Sequence, residues 1–346
     1  MRYCRVVITP KTQDSAYDDS VVVRGSKTLD FNTHPRGVNS YPDMGALHVI
    51  FDLPITSFDQ INVAGYIEIR GIDIKTISQA SNLQGATIKV YGGMGKGYPL
   101  AKPGQSGLLM VGSVYQAFGN WQGTEMSLNL LVQPFSSPVT EESPPFFVWF
   151  WQQGKGIKEA ITNAVQSQFP EYSINFQIQS DYISPHDDLG FYNDFQGLAR
   201  AVLNSSLSVN QASGYTGIQM FVFNQTFYFF DNSTSATPKK IDFEDFVGQP
   251  TWLGPADYPA IMFSTVMRAD IAMNDVVTMP MFNQSGSNKT LAGYGTISPT
   301  SQDIQTPKDR SLFQGNFVVT SVRHIGDLRN PDGGSWITVF QAVKTN

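Results

Sequence analysis

Charge is scarce in this chain. Asp, Glu, Lys and Arg make up 15% of its residues, against about 25% in ordinary soluble domains, and acids outnumber bases 29 to 23. With a formal net charge of −6 it lacks the basic footprint that phosphate backbones require, which excludes a dedicated nucleic-acid-binding protein. Cysteine is nearly missing. The single Cys4 has no intrachain partner, so a disulfide scaffold and a cysteine-based zinc site within one chain are excluded. No apolar run approaches the ~18 to 20 residues of a membrane span. The opening Met1-Arg-Tyr-Cys-Arg-Val-Val-Ile-Thr-Pro10 breaks its apolar stretch too early for a signal peptide. The expectation is a soluble chain made directly in its final form.

What the chain has in quantity suits strands and turns. Its 346 residues are enough for two to three domains at roughly 150 residues each. Hydrophobic residues are 41% of the total, and a chain near this length buries about 75% of the surface it exposes when unfolded, so no staple is needed. Asn, Gln, Ser and Thr supply the polarity that charge does not, beside 30 Gly and 20 Pro. That mixture disfavours an all-helical fold.

Periodicity divides the chain into regions. From 47 to 132 apolar residues alternate, as in Ile67-Glu-Ile69, Thr87-Ile-Lys-Val90 and Met126-Ser-Leu128-Asn-Leu130-Leu-Val132, the pattern of half-buried strands. Gly71, Gly85, the cluster Gly92-Gly-Met-Gly-Lys-Gly97, Pro103-Gly104 and Gly119-Asn-Trp-Gln-Gly123 read as turns between them. Pro134 to Pro145, with four prolines and no periodicity, reads as a linker. The apolar run Phe146-Phe-Val-Trp-Phe-Trp151 is expected as a strand buried on both faces, with an exposed aromatic platform for sugars or a partner chain as the alternative. Ile157, Ala160, Ile161, Ala164 and Val165 share one helical face, and Pro170 limits that helix. Ser173 to Ile178 alternates as a strand. Phe195, Leu198, Ala199, Val202 and Leu203 mark a second helix, capped by Asn193 or Asp194 and ending at Asn204 to Ser206. Ile218 to Phe223 and Thr226 to Phe230 flank Asn224-Gln225 as a hairpin. Strands return at Ile261 to Val266, Asp275 to Phe282, Phe317 to Val322 and Trp336 to Val343, with loops at Ser285 to Thr290 and Gly326 to Gly334. The expected fold class is mainly β with an α+β insert. A first β domain with an N-terminal arm covers 1–135, a linker and mixed middle domain 136–240, and a second β domain 241–346.

Each candidate for chemistry has a plainer reading beside it. Gly92 to Gly97 follows a strand, as phosphate-cradling loops do, but Gly97 follows Lys96 where a Walker A loop needs Ser or Thr, and Tyr98-Pro99 cannot open a helix. It reads as a flexible loop. His186-Asp-Asp188 groups ligand-type side chains without the alternating spacing of a calcium loop, so a solvated loop is expected. Asp181, Asp187, Asp188, Glu244 and Asp245 are available as a glycosidase acid pair, with Trp151, Trp252 and Trp336 as sugar platforms, and surface solubility explains these acids at least as well. No Gly-x-Ser-x-Gly elbow occurs, since Gly104-Gln-Ser-Gly107 lacks the spacing. Cys4 lies between Arg2 and Arg5, which could lower a thiol pKa, yet an inert cysteine is the default. Of the scattered His34, His48, His186 and His324, His48 and His324 lie in or beside strand patterns and read as structural. The sequons at Asn204, Asn224, Asn232, Asn283 and Asn288 record Asn and Ser richness only. The expectation is no catalytic residue, no cofactor, no metal, and a structural role.

Three early segments carry a resemblance: Ile61-Asn-Val-Ala-Gly-Tyr-Ile-Glu-Ile-Arg70, Ile88-Lys-Val-Tyr-Gly-Gly-Met-Gly-Lys-Gly-Tyr-Pro-Leu-Ala101 and Ala117-Phe-Gly-Asn-Trp-Gln-Gly123. Together they resemble the first domain of baseplate hub proteins from contractile-tailed bacteriophages. Gly315-Asn-Phe-Val-Val-Thr-Ser-Val-Arg-His-Ile-Gly-Asp327 and Trp336-Ile-Thr-Val-Phe340 look like the closing hairpin of the same family and its late-control relatives. The helix, strand, helix and hairpin between are similar to the family's inserted domain in type and order.

The resemblance implies two tail-tube-like β-barrels joined by a middle domain, in a homotrimer whose six barrels form a pseudo-hexamer. It implies a tail tube or tube-initiator protein above, a trimeric central spike below, other baseplate proteins around, and DNA passing through the lumen without sequence-specific binding. Excess acid lining the bore would keep that DNA from sticking. The implied location is the virion tail baseplate, assembled in host cytoplasm, with wall-degrading activity in another protein. The first 45 residues match nothing in the pattern and are expected as an arm on a neighbour. A glycoside hydrolase or sugar-binding tail protein is the alternative, and a minor capsid protein a further one.

Overall fold

The computed structural model describes residues 2–10, 28–60, 64–95, 102–134, 146–212, 215–233, 236–253, 260–280, 313 and 315–345. The first part of the chain builds β1 (Arg2–Thr9), β2 (Leu29–Asn32), β3 (His48–Thr56), β4 (Gly65–Arg70), a short helix α1 (Ile74–Ser78), β5 (Thr87–Met94), β6 (Gly107–Gln122) and β7 (Glu125–Gln133). A mixed part follows: β8 (Phe147–Trp151), α2 (Ile157–Gln166), β9 (Ser173–Gln177), β10 (Asp188–Tyr192), α3 (Phe195–Val209), β11 (Gln219–Phe223) and β12 (Thr226–Phe230). The last part returns to strands: β13 (Lys239–Lys240), β14 (Thr251–Trp252), β15 (Ala260–Val266), β16 (Val276–Met279), β17 (Gly315–Asp327) and β18 (Trp336–Lys344). The protein is mainly β with a small helical insert, as its composition requires.

The outer parts share one 13-stranded sheet in the order β14-β15-β18-β17-β3-β4-β7-β6-β5-β1-β2, with β16 beside β17 and β13 beside β16. Alternation explains the sheet's burial. In β3 every second residue is buried, so Val49, Phe51 and Leu53 enter the core while Ile50 and Asp52 face away. One cluster is built from Val6, Ile67, Ile88 and Leu130 in the first part, and another from Phe263, Phe317, Val319 and Phe340 in the last. The middle part packs its own aromatic core around Trp149, Phe169, Phe195 and Phe227. Its β8 pairs with β10, while β11, β12 and β9 form a three-stranded sheet.

The helical faces are as the spacing predicts. Ile157, Ala160, Ile161, Ala164 and Val165 are the buried residues of α2. In α3 the Asp194 carboxylate caps the helix by accepting the Gly197 amide at 2.6 Å. Asn224 and Gln225 both take positive φ, 48° and 60°, the geometry of the tightest hairpin turn.

Five expectations need correction. Helix α3 runs to Val209 instead of stopping at Ser206, because the Ser206 hydroxyl donates back to the Leu203 carbonyl at 2.7 Å and accepts the Ile218 amide at 2.9 Å, which satisfies a serine inside a helix. The run from Phe146 to Trp151 is not buried on both faces: Phe147, Trp149 and Trp151 are core, while Phe146, Val148 and Phe150 are exposed. Gly92 and Gly93 lie within β5, opposite Cys4 and Tyr3 of β1, where a loop was expected. A Cβ on Gly92 would stand 2.6 Å from the Leu109 side chain, so close packing demands glycine there. Gly119 to Gln122 is likewise strand, the distal half of β6. Finally, the first 45 residues are not all arm, since β1 lies between β5 and β2 in the sheet. Residues 96–97 of the glycine cluster, 135–145 of the linker, and the sequons at Asn283 and Asn288 lie outside the described residues.

Candidate functional site

The residues singled out for chemistry are dispersed into structural tasks. Asp181 accepts the Lys158 amide at 3.0 Å, at the start of α2. Asp187 accepts the Gln153 amide at 2.7 Å. Asp188 accepts the Trp149 indole at 2.9 Å and the Ser205 hydroxyl at 2.8 Å. Glu244 is exposed and Asp245 buried. Trp151 and Trp336 are buried, their indoles donating to the Lys155 and Gly93 carbonyls, and Trp252 stacks on Phe313 at 5.1 Å, so no sugar platform is assembled from them. Among the described residues no group of three metal-ligating side chains converges, and His186 stands exposed.

Cys4 is fully buried, and burial pushes its thiol up to about 12, away from a reactive thiolate. Arg2 is committed elsewhere, donating to the Asp327 carbonyl at 2.5 Å and to that of Asp332 at 2.8 Å. Arg5 pairs with Asp30 at 2.7 Å. His48 contacts the Asp327 carboxylate at 2.6 Å, His324 the Thr338 hydroxyl at 3.0 Å, and His34 the Thr33 hydroxyl at 2.9 Å. Each of these three histidines is thus held by a neighbouring side chain, His48 and His324 within strands β3 and β17.

What the fold does bring together is a repeat. In the first part the strands lie in the order β3-β4-β7-β6-β5-β1, and in the last part β14-β15-β18-β17-β16-β13. Chain order matches as well. Each unit closes on a long hairpin whose first strand carries one extra residue: Tyr115 in β6, between Val114 and Gln116, and Thr320 in β17, between Val319 and Ser321. The match departs at the ends, where β1 is antiparallel to β5 but β13 runs parallel to β16.

The two units join edge to edge. Beyond its bulge, β17 pairs antiparallel with β3 from Ser321 opposite Thr56 to Asp327 opposite Ile50. Across this seam Arg323 grips Asp52 through two hydrogen bonds, Nε to Oδ1 at 2.7 Å and the second at 2.5 Å. A second link lies inside: Asp245 accepts from Arg268 at 3.1 Å, Lys102 at 2.9 Å and Gln105 at 3.1 Å. Asp245 and Arg268 are only 1% and 3% exposed, so this clasp ties the first part to the last out of water.

Two surfaces are left uncovered. The distal half of β6, Gln116 to Gln122, pairs with β7 on one side and with no described strand on the other, and Phe118 and Trp121 on it are 44% and 64% exposed. At the far end of the sheet β14 pairs, among the described strands, with β15, and neighbouring Leu253 is 48% exposed. The other surface is the outer face of β8 and β10, where Phe146, Val148, Phe150, Leu189 and Phe191 stand in the open and Phe146 stacks on Phe191 at 5.9 Å. Exposed apolar groups in one place mark interaction sites. A continuous apolar run shows no face by periodicity, so only the alternative reading of Phe146 to Trp151 anticipated this one.

No protein-family model and no curated protein sequence matches the chain. Among solved structures, a tail protein from Neisseria meningitidis MC58 superimposes with a TM-score of 0.53 at 8% identity, over 99% of this chain and 96% of that one. The E. coli c3393 protein, a component of the type VI secretion system with structural similarity to the T4 bacteriophage tail proteins gp27 and gp5, superimposes at 0.50 with 8% identity, over 88% and 75%. The chain thus has the fold of tail proteins, the one its resemblance to baseplate hubs implied.

Proposed function

We propose that the chain is a structural hub of a phage-type tail baseplate. Three copies close a ring of six β units, which meets a sixfold tail tube or tube-initiator protein on one side and a threefold spike on the other, with other baseplate proteins around it. The units are tube-like barrels, the first within 1–135 and the second from β13 at Lys239 onward, carried with the middle domain between them. One observation carries the reading: the two outer parts repeat one strand order with a bulge at the corresponding place in each long strand. Two like units per chain let threefold symmetry imitate sixfold, and heterologous contacts that close by rotation give a finite ring.

On this reading the sheet face turned from the core lines a channel through which DNA passes. Arg5–Asp30, Arg70–Glu68 and Arg323–Asp52 are paired on that face, so part of its acid is matched by base. DNA would pass without sequence-specific contacts. The test is mass photometry of the full chain with class averages by electron microscopy. The expected result is a particle of three 38.2-kDa chains with six lobes around a hole. A single-chain particle at every concentration up to tens of micromolar would remove the proposal.

A further inference from the structure

The seam inside the chain is a template for one between chains. Aligning the two units on their bulges places Ser321 to Asp327 of β17 where Gln116 to Gln122 of β6 stand. Aligning β15 on β4 through their shared partners puts Met262, opposite Gln341, in the place of Tyr66, opposite Leu131. Thr251 lies opposite Met262 as Asp52 lies opposite Tyr66, so β14 is the counterpart of β3. In β3 the outer edge is filled by β17. The outer edges of β14 and of distal β6 are the two halves of the same seam, and among the described residues neither has a partner strand.

We infer that residues 251–253 of one copy add as an antiparallel strand to the 116–122 edge of the next copy, with Thr251 opposite Asn120, Trp252 opposite Gly119 and Leu253 opposite Phe118. The inference rests on the ring reading above and names its interface. The register is copied from Asp52 opposite Ile325, Leu53 opposite His324 and Pro54 opposite Arg323. The chemistry of the open edges fits a second copy. Where the internal seam sets Asp52 against Arg323, the open one would set Thr251 and Leu253 against Phe118, with no buried charge on either side. Cross-strand pairs of aromatic and aliphatic residues are favourable, and covering a bare edge removes a site of uncontrolled pairing. Ile77 packs where a Gly119 Cβ would stand, on one face of the sheet.

The test combines Asn120→Cys with Thr251→Cys in the full chain, each single variant serving as control. A short bis-maleimide should convert the double variant into a covalent ladder ending at three chains on a denaturing gel, and neither single variant should form it. The buried Cys4 leaves the background low. A wild-type trimer whose 120/251 pair does not cross-link overturns this interface and spares the ring. A chain that is monomeric throughout and gives no ladder ends both. Hydrogen exchange on the unmodified protein reads the same edge independently. Amides of 116–122 should slow at least tenfold on going from dilute monomer to trimer, and an edge that stays fast in the trimer, or slows only when a tube protein is added, overturns the inference.

Discussion

His324 shows how one side chain sets a pH limit. It is buried, its Nδ1 3.0 Å from the Thr338 hydroxyl, and desolvation pushes its pKa from 6.5 down to about 3. The folded protein therefore holds the imidazole neutral, while the unfolded chain takes up a proton below about 6.5. Stability from this site is fully present above that pH and is lost as pH falls through the window toward 3, at up to ~1.4 kcal/mol per unit. Urea midpoints measured at pH 7 and pH 5 should fall with acid in the wild type, and the fall should be smaller in His324→Asn. Equal slopes in the two proteins would show that another group governs the transition.

Among the elements, the β6–β7 hairpin is the most informative. Gly119 is required because Ile77 of α1 fills the space beside it: an added Cβ would stand 1.9 Å from the Ile77 side chain and 3.0 Å from its carbonyl oxygen. Gly119→Ala should cost roughly 1–3 kcal/mol as α1 is pushed off the sheet. Ile77→Ala in the same chain should recover part of the loss, a coupling that a double-mutant cycle on urea midpoints measures. The same residue explains what the sequence hides. A glycine in an alternating run reads as a turn, and only the helix packed over it reveals a strand. Legible elements were those whose signal is local, such as the α2 face from Ile157 to Val165 and the turn at Asn224-Gln225. Illegible ones depend on distant partners. No period in β17 announces that Arg323 will meet Asp52, 271 residues away, and the uniform apolar run at Phe146 to Trp151 does not say which side is covered.

For the whole molecule, the joining of the first and last parts matters more than either alone. The clasp of Asp245 with Arg268, Lys102 and Gln105 bridges them, and each cation in it has a second carboxylate, Asp270 for Arg268 and Asp242 for Lys102. Asp245→Ala leaves those two pairs in place, and through the lost buried hydrogen bonds should destabilise the protein by about 1–3 kcal/mol, read as a lowered urea midpoint. The Arg323–Asp52 pair is half exposed, and pairs of that kind contribute at most about 1 kcal/mol, so the ladder of backbone bonds around it holds the seam.

That seam has a consequence for how such a collar would come apart. In the ring proposed above, three of the six joints would lie inside a polypeptide, where chain continuity would keep both edges at high effective concentration, and dilution would act only on the remaining three. Disassembly would release doublets of units and never singlets, and a damaged collar could be repaired by exchanging one whole chain without disturbing the internal joint of its neighbours.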